Sequence, residues 1–285
     1  IHITVLGSGT CVPSLTRSAC AVLMTVGASQ LLFDIGPGTM RRLLEAGVQV
    51  QDLSHALISH FHPDHTGELA PLIFANKYPE ADRRRSPLTL IGGPGFRGFM
   101  KRLEGVYGDW IRLADGLQQV VEAAPADGFR HTAEGWRVET MPVRHNPESV
   151  AFRVTLDHGP AVVYSGDTEY SENLVALARE ADLLICEAAR PDEDPVRGHL
   201  TPSLAGRMAT EAGVRRLMLT HFYADCENVD LVAQFLKLFN GRRSIHIRRS
   251  QHRSPAFCLE ESGELGAECR LAGALKSRHK YYRRR

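Results

Sequence analysis

Short apolar runs separated by turn residues recur along most of the chain. Runs of this length, rich in Val, Ile and Leu and bounded by Gly or Pro, predict β-strands. Two of them, Ala19 to Val26 and Gln30 to Phe33, flank Gly27-Ala28-Ser29 and predict a hairpin. The other predicted strands are Ile3 to Leu6, Ala56 to Ile58, Leu88 to Ile91, Arg137 to Val143, Ala161 to Tyr164, Leu183 to Cys186 and Leu217 to Thr220.

Segments with helical spacing lie between these strands. The predicted helices are Thr39 to Ala46, Glu68 to Asn76, Phe96 to Val106, Ser171 to Glu180 and Ser203 to Ala212. The polar segment from Pro79 to Pro87, which contains Arg83-Arg84-Arg85, is predicted to be an exposed loop, and residues 107–135 show no clear pattern. Because strands and helices alternate without an internal repeat or a linker, their order predicts one α/β architecture.

A residue that can bind a metal or transfer a proton follows the carboxyl end of five predicted strands. These residues are His60, His145, Asp167, Glu187 and His221. Functional groups gather at the carboxyl ends of strands in open α/β sheets, so the pattern predicts one site built from the whole chain. Asp34 also ends a strand. It either orients a metal-ligating histidine or caps the following turn or helix, and the sequence leaves both interpretations open.

The segment Ser59 to Gly67 holds the densest set of candidate ligands, His60, His62, Asp64 and His65. Neutral imidazole and carboxylate are the ligands that zinc and its neighbours prefer. A single histidine after an apolar run would be interpreted as a core residue. Four ligand-type side chains at the spacing H-x-H-x-D-H instead predict a metal centre.

Adding His145, Asp167 and His221 gives more ligands than one catalytic zinc needs, which predicts two metals bridged by a carboxylate and about 3.5–4 Å apart. Such a pair lowers the pKa of a shared water toward about 7 and stabilises developing charge. The leaving group still needs a proton. His199, with Glu187 nearby to orient it, is the candidate general acid, and the alternative interpretation is a helix-entry residue before Ser203.

Composition limits the class of protein. No apolar run approaches the length of a membrane helix, and no basic region precedes the first strand, so neither a membrane protein nor a signal peptide is predicted. The six cysteines are scattered without a C-x-x-C pair, which favours the cytoplasm. The net charge is +1, but residues 241–285 hold 12 basic and four acidic residues. This basic segment is interpreted as a solvated appendage, with nucleic-acid binding as the alternative.

The ligand motif His60-x-His62-x-Asp64-His65, followed in order by His145, Asp167 and His221, resembles the metallo-β-lactamase superfamily. The resemblance is closer to its ribonuclease Z-like branch and covers residues 1–225. Further segments that resemble motifs of that branch are Leu6 to Thr10, Pro87 to Gly95, Ser165 to Thr168, Ile185 to Ala189 and Leu217 to Phe222.

The resemblance implies an αβ/βα sandwich, a four-layer α/β fold of two mixed β-sheets flanked by helices. It places this hydrolase domain at residues 1–240 and leaves 241–285 as a basic C-terminal segment without an assigned role. It also implies two ligand sets that share Asp167: one metal held by His60, His62, His145 and Asp167, and a second held by Asp64, His65, Asp167 and His221. Asp64 would hold or deprotonate the attacking water, and Glu187 and His199 would form the acid pair.

Two departures from ribonuclease Z affect the expected substrate. Ribonuclease Z usually carries a long arm that grips tRNA between the motifs of His145 and Asp167, and only residues 146–166 lie between them here. Residues 186–189 read Cys-Glu-Ala-Ala, where the family has His-Glu-Ala-Thr. Both departures favour an armless relative that acts on small phosphodiesters.

The sequence therefore predicts a cytoplasmic hydrolase with two divalent metal ions, Zn²⁺ or alternatively Mn²⁺, and most simply a phosphodiesterase that uses a metal-bound hydroxide. The first alternative is a ribonuclease Z-type tRNA 3′-processing endonuclease, in which the basic segment and Arg83 to Arg85 replace the arm. The second is a hydrolase of other esters or a non-catalytic metal-binding protein. Expected partners are a small phosphodiester or an RNA, no membrane, and a second copy of the chain by analogy with dimeric relatives.

Overall fold

Two mixed β-sheets form the centre of the molecule. The computed structural model describes residues 1–124 and 129–239, together with the backbone of 246–247, 257–260 and 269–271. The first sheet has the strand order β15 (Cys269–Leu271), β1 (His2–Gly7), β2 (Ala21–Val26), β3 (Ser29–Phe33), β4 (His55–Ile58), β5 (Leu88–Gly92) and β6 (Gln118–Glu122). The second has the order β13 (His246–Ile247), β14 (Phe257–Glu260), β12 (Leu217–Thr220), β11 (Leu183–Glu187), β10 (Ala161–Tyr164), β9 (Val150–Leu156), β8 (Trp136–Pro142) and β7 (Arg130–Ala133).

The strand directions send several carboxyl ends to one edge of the sandwich. In the first sheet β3, β4, β5 and β6 are parallel, and in the second β10, β11 and β12 are parallel. Strand β8 runs in the same direction as β10, because both pair antiparallel with β9. The predicted hairpin between β2 and β3 is confirmed, with Val26 paired to Ser29.

Helices cover the outer faces of both sheets. They are α1 (Thr39–Glu45), α2 (Pro63–Thr66), α3 (Leu69–Lys77), α4 (Phe96–Tyr107), α5 (Glu172–Leu177), α6 (Pro202–Ala212) and α7 (Leu231–Leu236). One apolar cluster joins the first sheet to α1, α3 and α4, and another joins the second sheet to α5, α6 and α7. Helix α5 is shorter than the predicted segment from Ser171 to Glu180.

A third apolar cluster fills the space between the two sheets. Phe33 of the first sheet packs against Phe152 and Tyr164 of the second, with ring centroids 6.0 and 5.3 Å apart. Trp136 is fully buried in the same layer. Helix, sheet, sheet and helix therefore follow one another as four layers, and the predicted αβ/βα sandwich is confirmed.

The prediction of an exposed loop from Pro79 to Pro87 is wrong at Arg84, whose exposed fraction is only 2 %. Its guanidinium donates hydrogen bonds to the carbonyls of Val50, Leu53, Ser86 and Pro87 and to Oδ1 of Asn76. These partners are uncharged oxygens at the ends of neighbouring segments. The planar fork of donors saturates them all, which is why arginine is buried here.

The predicted basic segment, residues 241–285, lies outside the described residues apart from the backbones of β13, β14 and β15. Strand β14 pairs antiparallel with β12, and β15 pairs parallel with β1. The predicted division of the chain at residue 240 stays a prediction, which truncation after that residue would test.

No helix in the described part of the chain has the length and apolar character needed to cross a membrane.

Candidate active site

The carboxyl ends of β4, β8, β10 and β12 converge on one group of side chains. The loop after β4 and the short helix α2 carry His60, His62, Asp64 and His65, while the other strands supply His145, Asp167 and His221. These seven side chains form two adjoining groups. In each group one ligand atom per residue lies within 4.8 Å of every other, and the groups are His60, His62, His145 and Asp167, and Asp64, His65 and His221. The structure thus brings together every predicted metal-ligand residue.

Asp167 lies between the two groups. Its Oδ2 is 3.6 Å from His60 Nε2 and 3.9 Å from His145 Nε2 in the first group. In the second group it is 3.2 Å from His65 Nε2 and 3.3 Å from His221 Nε2. Burial alone would raise the pKa of this carboxyl, but the surrounding imidazoles hold the pKa of Asp167 well below its usual range. The carboxylate is therefore ionised and faces ligands of both groups.

Asp64 is also held as an anion. Its Oδ2 is 3.6 Å from His221 Nε2 and 3.8 Å from His65 Nε2. Burial favours the neutral acid, yet the contact with His221 and the charge of His65 lower the pKa of Asp64 to about 2. Two ionised carboxylates among imidazoles make a site that favours a cation.

Hydrogen bonds on the outer nitrogens fix which nitrogen of each imidazole faces inward. His145 Nδ1 donates to the carbonyl of Gly198 at 2.8 Å, and His65 Nδ1 donates to Asp34 Oδ2 at 2.8 Å. With those protons placed outside, the Nε2 atoms of both rings point into the site.

Asp34 also fixes the orientation of the His60 ring, through Ser59. Ser59 Oγ donates to Asp34 Oδ2 at 2.8 Å, so the same hydroxyl oxygen accepts a hydrogen bond from the Nδ1–H of His60 at 3.0 Å. Tyr164 donates its hydroxyl to Asp34 as well, at 2.7 Å. The interpretation of Asp34 as an orienting residue is therefore confirmed for His65 and, through Ser59, for His60.

In the part of the chain that the structure describes, two buried atoms of the proposed ligands have no partner, which indicates that a cation belongs in the site. His60 Nε2 and Asp167 Oδ1 are buried and have no hydrogen-bond partner among the described residues. Buried polar atoms normally find a partner, because leaving one unpaired costs about 1–3 kcal/mol. Burial and the neighbouring histidines also keep the pKa of His60 well below its usual range, so its ring is neutral and able to ligate. The residues present fit divalent metal ions.

Glu187 and His199 lie next to this cluster. His199 Nδ1 is 3.0 Å from Glu187 Oε1 and 4.0 Å from Asp167 Oδ2. Burial would lower the pKa of His199, but the contact with Glu187 outweighs it and raises this pKa to about 8. Glu187 itself is anchored by the backbone N–H groups of Thr168, Ala189 and Leu200. The pair thus presents a proton-bearing imidazole at the edge of the candidate metal centre.

Close approaches of the backbone shape the site. Gly166 has φ +58° and a β-carbon there would lie 2.6 Å from Ser59 Cβ, so glycine lets the Asp167 loop reach the His60 loop. His221 adopts the left-handed conformation at φ 62°, which is unusual for a residue other than glycine. The N–H of Phe222 donates to Ser8 O at 2.8 Å and anchors this strained turn.

Sequence reasoning missed two side chains at the site. Asn146 Nδ2 lies 3.1 Å from His62 Nε2 and orients that ring, and its position directly after His145 was the available signal. The ring of Tyr223 lies edge-on to those of His199 and His221, with centroids 6.5 and 6.4 Å away. No sequence pattern marks Tyr223, since aromatic residues after a strand are usually core residues.

Comparison with known proteins agrees with this geometry. A family model described as a beta-lactamase superfamily domain matches residues 29–222. A ribonuclease Z of Streptomyces coelicolor is 33% identical over 270 residues, and the match covers 79% of this chain and 89% of that protein. The chain belongs to the metallo-β-lactamase superfamily and is ribonuclease Z-like.

Solved structures of this superfamily have the same architecture. The metallo-β-lactamase fold protein YhfI from Bacillus subtilis is 26% identical with a TM-score of 0.70, and the match covers 84% of this chain and 93% of that one. The short form of human tRNase Z is 26% identical with a TM-score of 0.65, covering 78% and 92%. The fold, these relatives and the His/Asp cluster together support a metal-dependent hydrolase.

Proposed function

We propose that the protein is a dinuclear metal-dependent phosphodiesterase that acts on small phosphodiesters. The observation that carries this proposal is the position of His199, 4.0 Å from Asp167 and paired with Glu187. A proton donor beside a metal centre suits the expulsion of an alkoxide, which is a poor leaving group without protonation. Membership of a family does not define the substrate, which depends on the residues of the site.

The proposed ligand sets follow the two groups of side chains. One metal would be held by His60, His62, His145 and Asp167, and the second by Asp64, His65, His221 and the shared Asp167. Bound divalent metals would acidify water and neutralise negative charge on the phosphate. The imidazole-rich set favours Zn²⁺, with Mn²⁺ as the alternative that metal analysis would distinguish.

The chain's own residues supply the remaining steps. Asp64, held ionised, accepts a hydrogen bond from the attacking water or removes its proton. His199, with its pKa raised to about 8, carries a proton at neutral pH and donates it to the leaving oxygen. Glu187 keeps the ring oriented and favours the protonated form.

The second candidate is a ribonuclease Z-type tRNA 3′-processing endonuclease, which the names of the relatives favour. Two observations weigh against it. Within residues 146–166 lie β9, β10, the turns around them and the loop before Asp167, which leaves no segment for an arm in this described stretch. Arg84 is buried and fully bonded, so it cannot contribute to an RNA surface in place of the arm.

The other proposed properties are a cytoplasmic location and a homodimer. Cys11, Cys20, Cys186 and Cys226 are all free thiols, which suits a reducing compartment. The dimer rests on analogy with relatives, and size-exclusion chromatography with light scattering would test it.

Turnover as a function of salt separates the two candidate functions. A small cyclic phosphodiester makes few ionic contacts, so its kcat/KM should change little between 50 and 200 mM salt. A tRNA precursor would lose binding steeply over the same range, because many phosphate contacts release counterions. Efficient cleavage of the precursor together with that steep loss would favour the endonuclease over the small-substrate phosphodiesterase.

A further inference from the structure

Tyr223 stands beside the catalytic histidine without a role in the proposed chemistry. It follows β12 by three residues, and its ring is perpendicular to that of His199, with an interplanar angle of 78°. The ring is also perpendicular to that of His221, at 83°. Tyr223 is half-buried, so part of its surface remains open to a bound molecule.

Two neighbours fix the Tyr223 ring in place. The guanidinium carbon of Arg190 lies over the ring, 5.0 Å from its centroid. Arg190 is itself held by Asp194 at 2.5 Å and by Asp225 at 3.1 Å. A cation held over an aromatic face stabilises that orientation of the ring. Tyr223 therefore forms a wall of the site whose ring is held in a fixed orientation.

The hydroxyl end of Tyr223 reaches the loop that follows β1. Its oxygen lies 3.7 Å from Sγ of Cys11, in the exposed loop that follows β1. Burial, Cys11 and the carboxylates of Asp64 and Asp167 raise the pKa of Tyr223 to about 12, so the hydroxyl stays neutral. The side chain thus spans from the loop after β12 to the loop after β1.

The proposed chemistry indicates which part of the substrate contacts Tyr223. His199 protonates the leaving oxygen, so the group attached to that oxygen lies on the His199 side of the phosphate. Tyr223 is a neighbour of His199, with ring centroids 6.5 Å apart, so a group bound at His199 comes close to its ring. We propose that Tyr223, positioned by Arg190, is a specificity-determining residue that contacts a planar aromatic group of the substrate, as a nucleoside base would supply. This inference rests on the phosphodiesterase function proposed above.

Two substrates with the same reacting atoms test this inference. Adenosine 2′,3′-cyclic phosphate and glycerol 1,2-cyclic phosphate are both five-membered cyclic diesters, and only the first carries a base. Stacking of a base on an aromatic side chain corresponds to roughly a 10- to 100-fold effect. Tyr223→Ala should therefore lower the ratio of kcat/KM for the adenosine substrate over the glycerol substrate by that factor, mainly through KM.

Conservative variants and a matched control sharpen the result. Tyr223→Phe keeps the ring and should keep the ratio, whereas Arg190→Ala should lower it and Arg190→Lys should restore part of it. Tyr170, which has Arg207 over its ring at 4.8 Å on the outer face of the second sheet, provides the control. Tyr170→Ala should leave the ratio unchanged. A ratio that Tyr223→Ala does not alter would overturn the inference, and so would a Tyr223→Phe variant as impaired as Tyr223→Ala.

A binding measurement keeps this test separate from the test of the proposed function. If the wild-type metal-loaded protein hydrolyses neither diester, the phosphodiesterase proposal fails. Calorimetric titration with adenosine 2′-monophosphate would still measure how much Tyr223 contributes to binding of the base. Tyr223→Ala should then raise the Kd roughly 10- to 100-fold, and an equal Kd for both proteins would overturn the role of Tyr223.

Discussion

His199 Nδ1 lies 3.0 Å from Glu187 Oε1, and this contact sets the protonation state of the imidazole next to the metal cluster. Removing the ring should remove the proton donor while leaving every proposed ligand in place. We expect His199→Ala to lower kcat by roughly 10²- to 10⁴-fold on substrates with alkoxide leaving groups. Metal content per chain, measured by mass spectrometry, should stay at the wild-type value. Full turnover by His199→Ala would show that another group supplies the proton.

The same contact predicts how activity depends on pH. The pKa of His199 is raised to about 8, so the acid is protonated at neutral pH and is lost as pH rises through about 8. The kcat of the wild-type enzyme should therefore fall on the alkaline side with a midpoint near that value. Glu187→Gln removes the charge that raises the pKa, and this variant should shift the midpoint to lower pH. An unchanged midpoint would contradict the assignment of this limb to the pair.

Substitution of Asp34 should change metal affinity, although Asp34 is not one of the proposed ligands. It accepts hydrogen bonds from His65 and Ser59, and Ser59 in turn orients His60. Partners of this kind typically change metal affinity by about 10- to 100-fold. We expect Asp34→Asn to weaken metal binding by that factor in a competition titration with a chelator.

Tyr164→Phe is the matched control for Asp34, because it removes one hydrogen bond to the same carboxylate and no contact with a ligand. Its effect on metal affinity should be several-fold smaller. Equal affinities for Asp34→Asn and the wild type would contradict the orienting role.

Substitution of Arg84 should cause a large loss of stability, although this residue lies in a polar loop. Its removal leaves four carbonyls and Asn76 without their donor. Each unsatisfied buried group costs about 1–3 kcal/mol, although water can enter and satisfy part of the set. Arg84→Ala should therefore lower the free energy of unfolding by about 3 kcal/mol or more in urea denaturation. The neighbouring Arg83, which is more than half exposed, offers the control, and Arg83→Ala should change stability by less than about 0.5 kcal/mol.

The stability of the fold should depend on pH through His55 and His131. This pair lies at the end of the sandwich remote from the site. Their Nε2 atoms are 3.2 Å apart, one on each sheet, and both rings pack against Trp136. Burial and the neighbouring His131 lower the pKa of His55 to about 4. Below its ordinary pKa of about 6.5 the unfolded chain binds a proton that the folded chain does not. Stability should therefore decrease as pH falls from about 6.5 toward 4.

The contribution of this pair can be isolated by substitution. His55→Gln should flatten the decrease in Tm between pH 7 and 5, relative to the wild type at the same metal loading. His158→Gln changes a histidine at an exposed turn and should not alter the slope. Identical slopes for His55→Gln and the wild type would contradict the assignment.

The sequence predicts the fold and the candidate site because both depend on local patterns. Apolar runs predict the strands, and a ligand-type residue just past a strand end is placed by the strand itself. The positions of His145, Asp167 and His221 follow once the parallel strands are aligned. Glu187 and His199 are likewise brought together as predicted.

Features that depend on packing between distant segments are not predictable in this way. The three arginines from Arg83 to Arg85 look alike in sequence, and only the carbonyls of Val50 and Leu53, more than 30 residues away, select Arg84 for burial. The contact between His55 and His131 depends on how the two sheets face each other. The bracing of Tyr223 by Arg190 depends on the positions of two loops after neighbouring strands.

Metal content combined with turnover of bis(p-nitrophenyl) phosphate tests the central claim most directly. The account predicts about two divalent metals per chain and clear cleavage of the diester, and His62→Ala should abolish the cleavage and lower the metal content. Two metals without cleavage would keep the metal centre and direct the search to other esters. A purified, folded protein that binds no metal would contradict the assignment of His60, His62, Asp64 and His65 as ligands.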